Sequence, residues 1–256
     1  MKKKINIDVD EYKLINKTTP FAIKEAFNHL RTNLTYIPSK DDGCPIFGIT
    51  SAMDSVGKST IISNIALSFA QAETKVLLID SDIRRPVIHK FFNLPKERHG
   101  LTELISGIEK DDTKIITQYE QAPSLHILTS GFVPHNPSEL ISSKKFSEYL
   151  KKWKYEYDII LIDFPPVGIV TDALTVSNDI TGYFLVVRAN RSDSRSINSA
   201  IATLDQVNAK ILGVILNDLS LKNNSSSRYH YTRRSYKYYM EMTNKNNEAK
   251  KEPSDI

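Results

Sequence analysis

A lysine and a hydroxyl at a helix start, Lys58 and Ser59, are the residues of this chain best placed to do chemistry. They close the stretch PIFGITSAMDSVGKST, Pro45–Thr60, where an apolar run gives way to small residues and then to Gly57-Lys58-Ser59-Thr60. The helical pattern IISNIALSFAQAE follows at once. A strand, a turn and a helix N-terminus of this composition suit a nucleoside triphosphate. Backbone N–H groups along Ser55, Val56, Gly57, Lys58, Ser59 and Thr60 wrap the phosphates, Lys58 reaches the outer ones, and the Ser59 hydroxyl can ligate Mg²⁺. The pattern G-x-x-x-x-G-K-[ST] is met imperfectly, because Ala52 stands at its first glycine. Taken alone, the motif also fits an ordinary helix start.

Two further segments sharpen this reading. VLLIDSDIRRP, Val76–Pro86, runs from apolar residues into Asp80 and Asp82, then Arg84 and Arg85. DIILIDFPPV, Asp158–Val167, ends a second apolar run in Asp163 before two prolines. Either alone is weak, since strands often end in a solvated aspartate. In an open parallel sheet, however, ligands sit beyond the carboxyl ends of the strands. Asp80, Asp82 and Asp163 should then converge near the metal and the γ-phosphate.

The elements that must position these residues alternate along the chain. Strands are expected at Val76–Asp80, Leu125–Thr129, Ile159–Asp163, Tyr183–Arg188 and Ile211–Asn217, besides the apolar run before the phosphate loop. Helices are expected at Ser59–Glu73, Leu101–Ser106, Ser138–Trp153 and Ser192–Val207. Thr19 and Pro20 read as N-cap and first residue of a helix that runs through FAIKEAFNHLRTNLTYI. The fold class is α/β of the phosphate-loop NTPase type, a mostly parallel sheet with helices on both faces and right-handed crossovers. Residues 1–18 read as a flexible start, 19–221 as the folded domain, and 222–256 as a flexible tail without apolar periodicity.

Composition narrows the function. From Lys222 to Ile256, eight Lys/Arg and four Asp/Glu leave the tail with the whole net charge of +4. The rest sums to zero, so no strongly basic nucleic-acid binder is expected, although the tail could touch anionic headgroups. The single cysteine, Cys44, excludes an internal disulfide and reads as incidental. No segment approaches the ~20 apolar residues of a membrane helix, and MKKKINIDVDEYK lacks a signal peptide's apolar region, so a cytoplasmic location is expected. The histidines are scattered without metal-ligand spacing. Trp153 should pack under the sheet rather than stack on a base, and Asn217 is equally an adenine contact or a strand-ending turn.

With these motifs in view, the chain resembles the bacterial tyrosine kinases of capsule and exopolysaccharide synthesis. The resemblance runs from about Pro20 to the tyrosine cluster Tyr229, Tyr231, Tyr236, Tyr238 and Tyr239. It is carried by Asp80-Ser81-Asp82-Ile83-Arg84, by Asp163-Phe164-Pro165-Pro166, and by the segments GLTELISG (Gly100–Gly107) and NPSELISS (Asn136–Ser143). There are two departures. Where the family loop reads close to P-G-x-G-K-S, this chain has Asp54 and Ser55, so a left-handed Ser55 would be strained by about 1 kcal/mol. In the N-terminal helix a Glu and two Args join subunits into a ring; the matching residues here are Glu25, Asn28 and Arg31, which weakens that contact. Partition and division-site ATPases share the fold, but their second loop lysine is replaced by Met53.

The resemblance implies ATP and Mg²⁺ as cofactors, with Ser59, Asp82 and Asp163 toward the metal and Lys58 on the outer phosphates. Asp80 is the expected group for the incoming tyrosine hydroxyl. Arg84 and Arg85 would meet phosphate or an acidic substrate, although Arg85 fits a surface ion pair equally well. The tail tyrosines of a neighbouring subunit are the expected acceptors, alongside other tyrosine-containing proteins. A separate membrane-bound activator, the polysaccharide co-polymerase subunit, would recruit the kinase to the inner face of the membrane. The competing readings are a phosphate-loop ATPase that switches a partner, and a regulatory subunit weakened by Asp54 and Ser55.

Overall fold

The computed structural model describes residues 14–39, 43–189 and 191–219. The chain divides into two units, 1–217 and 218–256. The elements of the first unit are, in order, α1 (Phe21–Thr35), β1 (Ile46–Ser51), α2 (Lys58–Ala70), β2 (Val76–Asp80), α3 (Ile88–Phe91), α4 (Leu101–Ser106), β3 (Thr117–Gln118), β4 (Leu125–Leu128), α5 (Pro137–Ile141), α6 (Lys144–Trp153), β5 (Ile159–Asp163), β6 (Gly182–Arg188), α7 (Ser194–Asp205) and β7 (Ile211–Asn217). The expected tail tyrosines, Tyr229 to Tyr239, lie outside the described residues.

The seven strands form one sheet in the order β3-β4-β2-β5-β1-β6-β7. All pairs are parallel except β3 with β4. The apolar runs of β1, β2 and β5 are buried at every position, as strands covered on both faces must be. One core packs Leu104, Phe146, Leu150, Trp153, Ala200 and Leu204 against one face. The other core packs Leu34, Ile62, Ile65 and Phe69 against the opposite face. The α/β class and its two helical layers are as expected.

Several local expectations need correction. The helix expected over Ser138–Trp153 is two helices, because Ser143 is extended (φ −68°, ψ 144°) between α5 and α6. Thr19 does not cap α1: the helix starts one residue later, and Thr19 Oγ1 accepts instead from the Asn16 N–H at 3.0 Å. Leu14 and Ile15, expected with the flexible start, pack on the body. Ile15 is buried, and its N–H donates to Asn64 Oδ1 of α2 at 2.6 Å. Trp153 is fully buried, as expected of a packing residue, and its indole N–H donates to Asp112 Oδ2 at 2.7 Å.

Candidate functional site

Strand order brings the sequence motifs together. β5 lies between β1 and β2, so the phosphate loop after β1 adjoins Asp163 and Asp80. Register sets Asp163 beside Ile49 on one side and beside Asp80 on the other. A cleft of about 790 Å³ opens at these carboxyl ends. Asp54, Ser55, Gly57, Lys58, Ser59 and Thr60 line one wall, and Asp82, Arg84 and Arg85 line another.

The loop is fixed by its neighbours. Asn217 Nδ2 donates to the Val56 carbonyl at 2.8 Å, and Arg188 Nη1 donates to the Ser55 carbonyl at 3.2 Å. In a trans peptide the C=O and the next N–H point opposite ways, so holding these carbonyls aims the N–H groups of Val56 and Gly57 away from Asn217 and Arg188. Gly57 is left-handed (φ 94°), and a Cβ there would be strained and would push Asn217 Nδ2 off the Val56 carbonyl. Ser55 is left-handed too (φ 54°), which realises the expected strain. Helix α2 then starts at Lys58, with its first N–H groups unspent within the helix.

Below this wall the acids differ in depth. Asp163 and Asp80 are fully buried, whereas Asp82 reaches the cleft surface. Asp80 Oδ2 accepts from the N–H groups of Val87 at 3.2 Å and Ile88 at 3.0 Å. Asp80 Oδ1 and both oxygens of Asp163 have no hydrogen-bond partner. Burial therefore raises both carboxyls. Asp163 is pushed up to about 6, against the pull of the Lys58 charge and the nearby Ser59 hydroxyl, which steadies it without hydrogen-bonding geometry. Asp80 rises well above the usual range through burial, then through the charge of Asp163. Burial also raises Asp82, opposed by the Arg85 N–H that its Oδ1 accepts at 3.0 Å and by Lys58.

Asp80, expected toward a substrate hydroxyl, is as deeply buried as Asp163, and neither carboxyl lines the cleft itself. Asp80 lies beneath the cleft rather than along it. Arg84 lines the cleft but is held bidentately by buried Asp172, Nε to Oδ2 at 2.8 Å and Nη2 to Oδ1 at 3.2 Å. Ser138 joins them, accepting from Arg84 at 2.8 Å and donating to Asp172 at 3.0 Å. Arg85 faces Asp54 across the mouth at 3.6 Å, with both side chains exposed. Asn217 braces the loop, a role that neither sequence reading of it named. Glu25 and Arg31 have partners within the chain: Glu25 accepts from Asn28 at 2.8 Å, and Arg31 donates to the Ser68 carbonyl of α2 at 2.7 Å.

Sequence reasoning missed Arg188 and Asp172. Arg188 carried the same signal as the aspartates, a charge ending an apolar strand. Asp172 stood as a lone acid inside the apolar stretch GIVTDALTV, and such a residue demands a partner.

The residues present fit a divalent cation and a triphosphate. Buried carboxylate oxygens without a protein partner are costly unless something electropositive meets them, and a lysine with a row of helix-start N–H groups stands alongside. Among the described residues no group of three or more His, Cys, Asp or Glu side chains forms a metal site by itself. A bound cation would thus share its ligands with the phosphates. Cys44 is buried, and its thiol is pushed up to about 12, chiefly by burial, in keeping with an incidental residue. Among the described residues no helix is long and apolar enough to cross a membrane.

Comparison with known proteins shows what the chain is similar to. Residues 45–248 match the family model described as ParA, NUBPL iron-transfer P-loop NTPase. The putative tyrosine-protein kinase CapB of Staphylococcus aureus is 35% identical over 210 residues, covering 82% of this chain and 90% of that protein. The tyrosine-protein kinase YwqD of Bacillus subtilis is 34% identical, covering 86% of this chain and 92% of that protein. The kinase domain of the Escherichia coli tyrosine kinase ETK superposes with a TM-score of 0.73 at 32% identity, covering 80% of this chain and 78% of that chain.

Proposed function

This chain belongs to the bacterial tyrosine kinases, within the phosphate-loop NTPases, and we propose that it transfers the γ-phosphoryl group of ATP to tyrosine. The observation that carries the proposal is that Lys58, Ser59 and Asp82 line one cleft, with Asp163 buried beneath it near Lys58 and Ser59, an arrangement built by the β2-β5-β1 strand order. Lys58 and the N–H groups at the start of α2 hold the phosphates. Ser59, with Asp163 behind it, would hold Mg²⁺, which supplies charge neutralisation on the triphosphate when bound, leaving Asp82 free for the acceptor.

The tyrosine oxygen bonds to the γ-phosphorus, the bond from that phosphorus to the β,γ-bridging oxygen breaks, and ADP leaves. Asp82, rather than the deeper Asp80, is the carboxylate at the cleft surface that can take the phenolic proton. Asp80 instead anchors the chain turn at Val87 and Ile88 beneath it. Such transfers depend mainly on alignment and charge stabilisation, and both reside in the braced loop and its acids. The acceptors proposed are the tail tyrosines of a neighbouring copy, and the setting is capsule or exopolysaccharide synthesis with a membrane-bound activator.

Purified protein with Mg²⁺-ATP and the activator's cytoplasmic segment tests this. Phosphotyrosine is expected, and Lys58→Met should abolish it. Phosphate release without phosphotyrosine would instead favour an ATPase switch. Neither product would favour a regulatory subunit disabled at Asp54 and Ser55.

A further inference from the structure

The cleft is larger than a triphosphate needs. Beyond the phosphate loop and Asp82 its lining changes to Val87, Lys90, Phe91, Pro166, Ile169 and Val170. Ile169 is 63% exposed, and Phe91 and Val170 are partly exposed. Apolar side chains left open beside charged groups mark a surface that something covers. The two segments are anchored from below. The N–H groups of Val87 and Ile88 are held by Asp80. The loop carrying Ile169 is seated on the phosphate loop through Gly168, where a Cβ would meet the Ala52 carbonyl oxygen at 2.2 Å.

The cations of the cleft are not equivalent. Lys58 faces Asp82 and Asp163, Arg84 is held by Asp172, and Arg85 faces Asp54. Lys90 is exposed, and among the described residues no carboxylate lies within ion-pair distance of it.

We infer that this outer half of the cleft is the acceptor subsite and that it selects a tyrosine with an acidic neighbour. Phe91, Ile169 and Val170 cover the phenol ring, as amphipathic aromatic side chains require, while its oxygen faces Asp82. Lys90 meets an Asp or Glu close to the tyrosine. A rim charge of this kind sets preference more than raw affinity. The inference rests on the kinase reading above. It also ranks the chain's own tyrosines. Glu241 stands two residues after Tyr239, whereas Arg233 and Arg234 follow Tyr231, so Tyr239 is the better acceptor.

The test uses the full-length protein and two peptides of one tyrosine each, flanked by glutamates or by lysines. The readout is the ratio of their kcat/KM values. The wild type should prefer the acidic peptide about fivefold, and Lys90→Glu should erase or reverse that ratio. Phe91→Ala should raise KM for both peptides without changing the ratio. An unchanged ratio in Lys90→Glu, while phosphotyrosine still forms, would overturn the acceptor subsite and leave the kinase reading intact. No phosphotyrosine on either peptide or on the tail would overturn both. Lys90→Gln, which removes the charge without reversing it, should fall midway; a Gln variant like wild type would also count against the inference.

Discussion

Asp163 shows what a single side chain contributes here. Its carboxyl sits at about 6 in the folded protein against an ordinary 3.8, because burial disfavours its charge. The folded state therefore holds a proton more tightly than the unfolded chain does. That contribution to stability is complete below about pH 4 and is lost as pH rises through about 6. The difference amounts to roughly 3 kcal/mol for a shift of this size. Asp163→Asn imitates the neutral form. In buffer free of nucleotide and divalent cation, its stability relative to wild type should therefore be near zero at pH 4 and about 3 kcal/mol higher by pH 8. Urea unfolding at both values measures this. His89 and His126, lowered chiefly by burial, act in the opposite sense and are common to both proteins, whereas Asp80, raised in part by the charge of Asp163, is relieved in the Asn variant and adds to the gap in the same direction. A gap that stays constant with pH would mean that Asp163 is ionised throughout. Addition of Mg²⁺-ATP should shrink the gap, since the charged carboxylate then has something to face.

Connections between elements carry the next level. Arg84 follows β2, Ser138 lies in α5, and Asp172 opens the 3₁₀ turn Asp172–Val176 after β5; together they tie the chain around the cleft. Removing the cation should cost more than neutralising the acid. Arg84→Met leaves Asp172 buried with only the Ser138 hydroxyl, and should cost about 3 kcal/mol, the low end of the range because Arg84 is 34% exposed. Asp172→Asn keeps an acceptor for Arg84 and should cost about 1–2 kcal/mol. Unfolding curves that give the reverse order would show that the network is not organised around the buried carboxylate. None of this was legible in the sequence, because the partners are 88 residues apart and nothing local links them. What was legible follows from local rules. Apolar runs ending in Asp80, Asp163 and the phosphate loop fixed the strands, since a strand buried on both faces leaves little choice of composition. Short elements were not legible: Ile88–Phe91 and Thr117–Gln118 are too brief to show a period. The break at Ser143 was hidden because the apolar spacing on either side of it reads as one helix. The depth of Asp80 was not legible, since it depends on the turn at Val87 and Ile88 that its own carboxylate holds.

Across the whole molecule the charge is unevenly shared. The stretch Lys222–Ile256 carries +4, and the remainder is neutral. If this basic segment serves as acceptor for another copy, its charge complements the bound triphosphate rather than the cleft lining, where Lys58, Arg84, Arg85 and Lys90 outnumber Asp54 and Asp82. Each phosphotyrosine adds roughly −1.5 to −2 charges, so three would carry the segment well past neutrality. Attraction to the triphosphate would then become repulsion, and the transfer would end the association that allowed it. Unphosphorylated protein should therefore sediment as an oligomer, and incubation with Mg²⁺-ATP should shift it toward monomer as phosphotyrosine accumulates. The variant with Tyr229, Tyr231, Tyr236, Tyr238 and Tyr239 all changed to Phe should stay assembled under the same conditions. Because exposed charges are screened over about 8–10 Å at moderate ionic strength, the wild-type oligomer should also weaken as salt is raised. Sedimentation velocity across a salt series separates the two effects, since salt acts on both proteins and ATP on only one. An oligomer that survives full phosphorylation at low salt would place its contacts on α1 or elsewhere in the body, away from the tail.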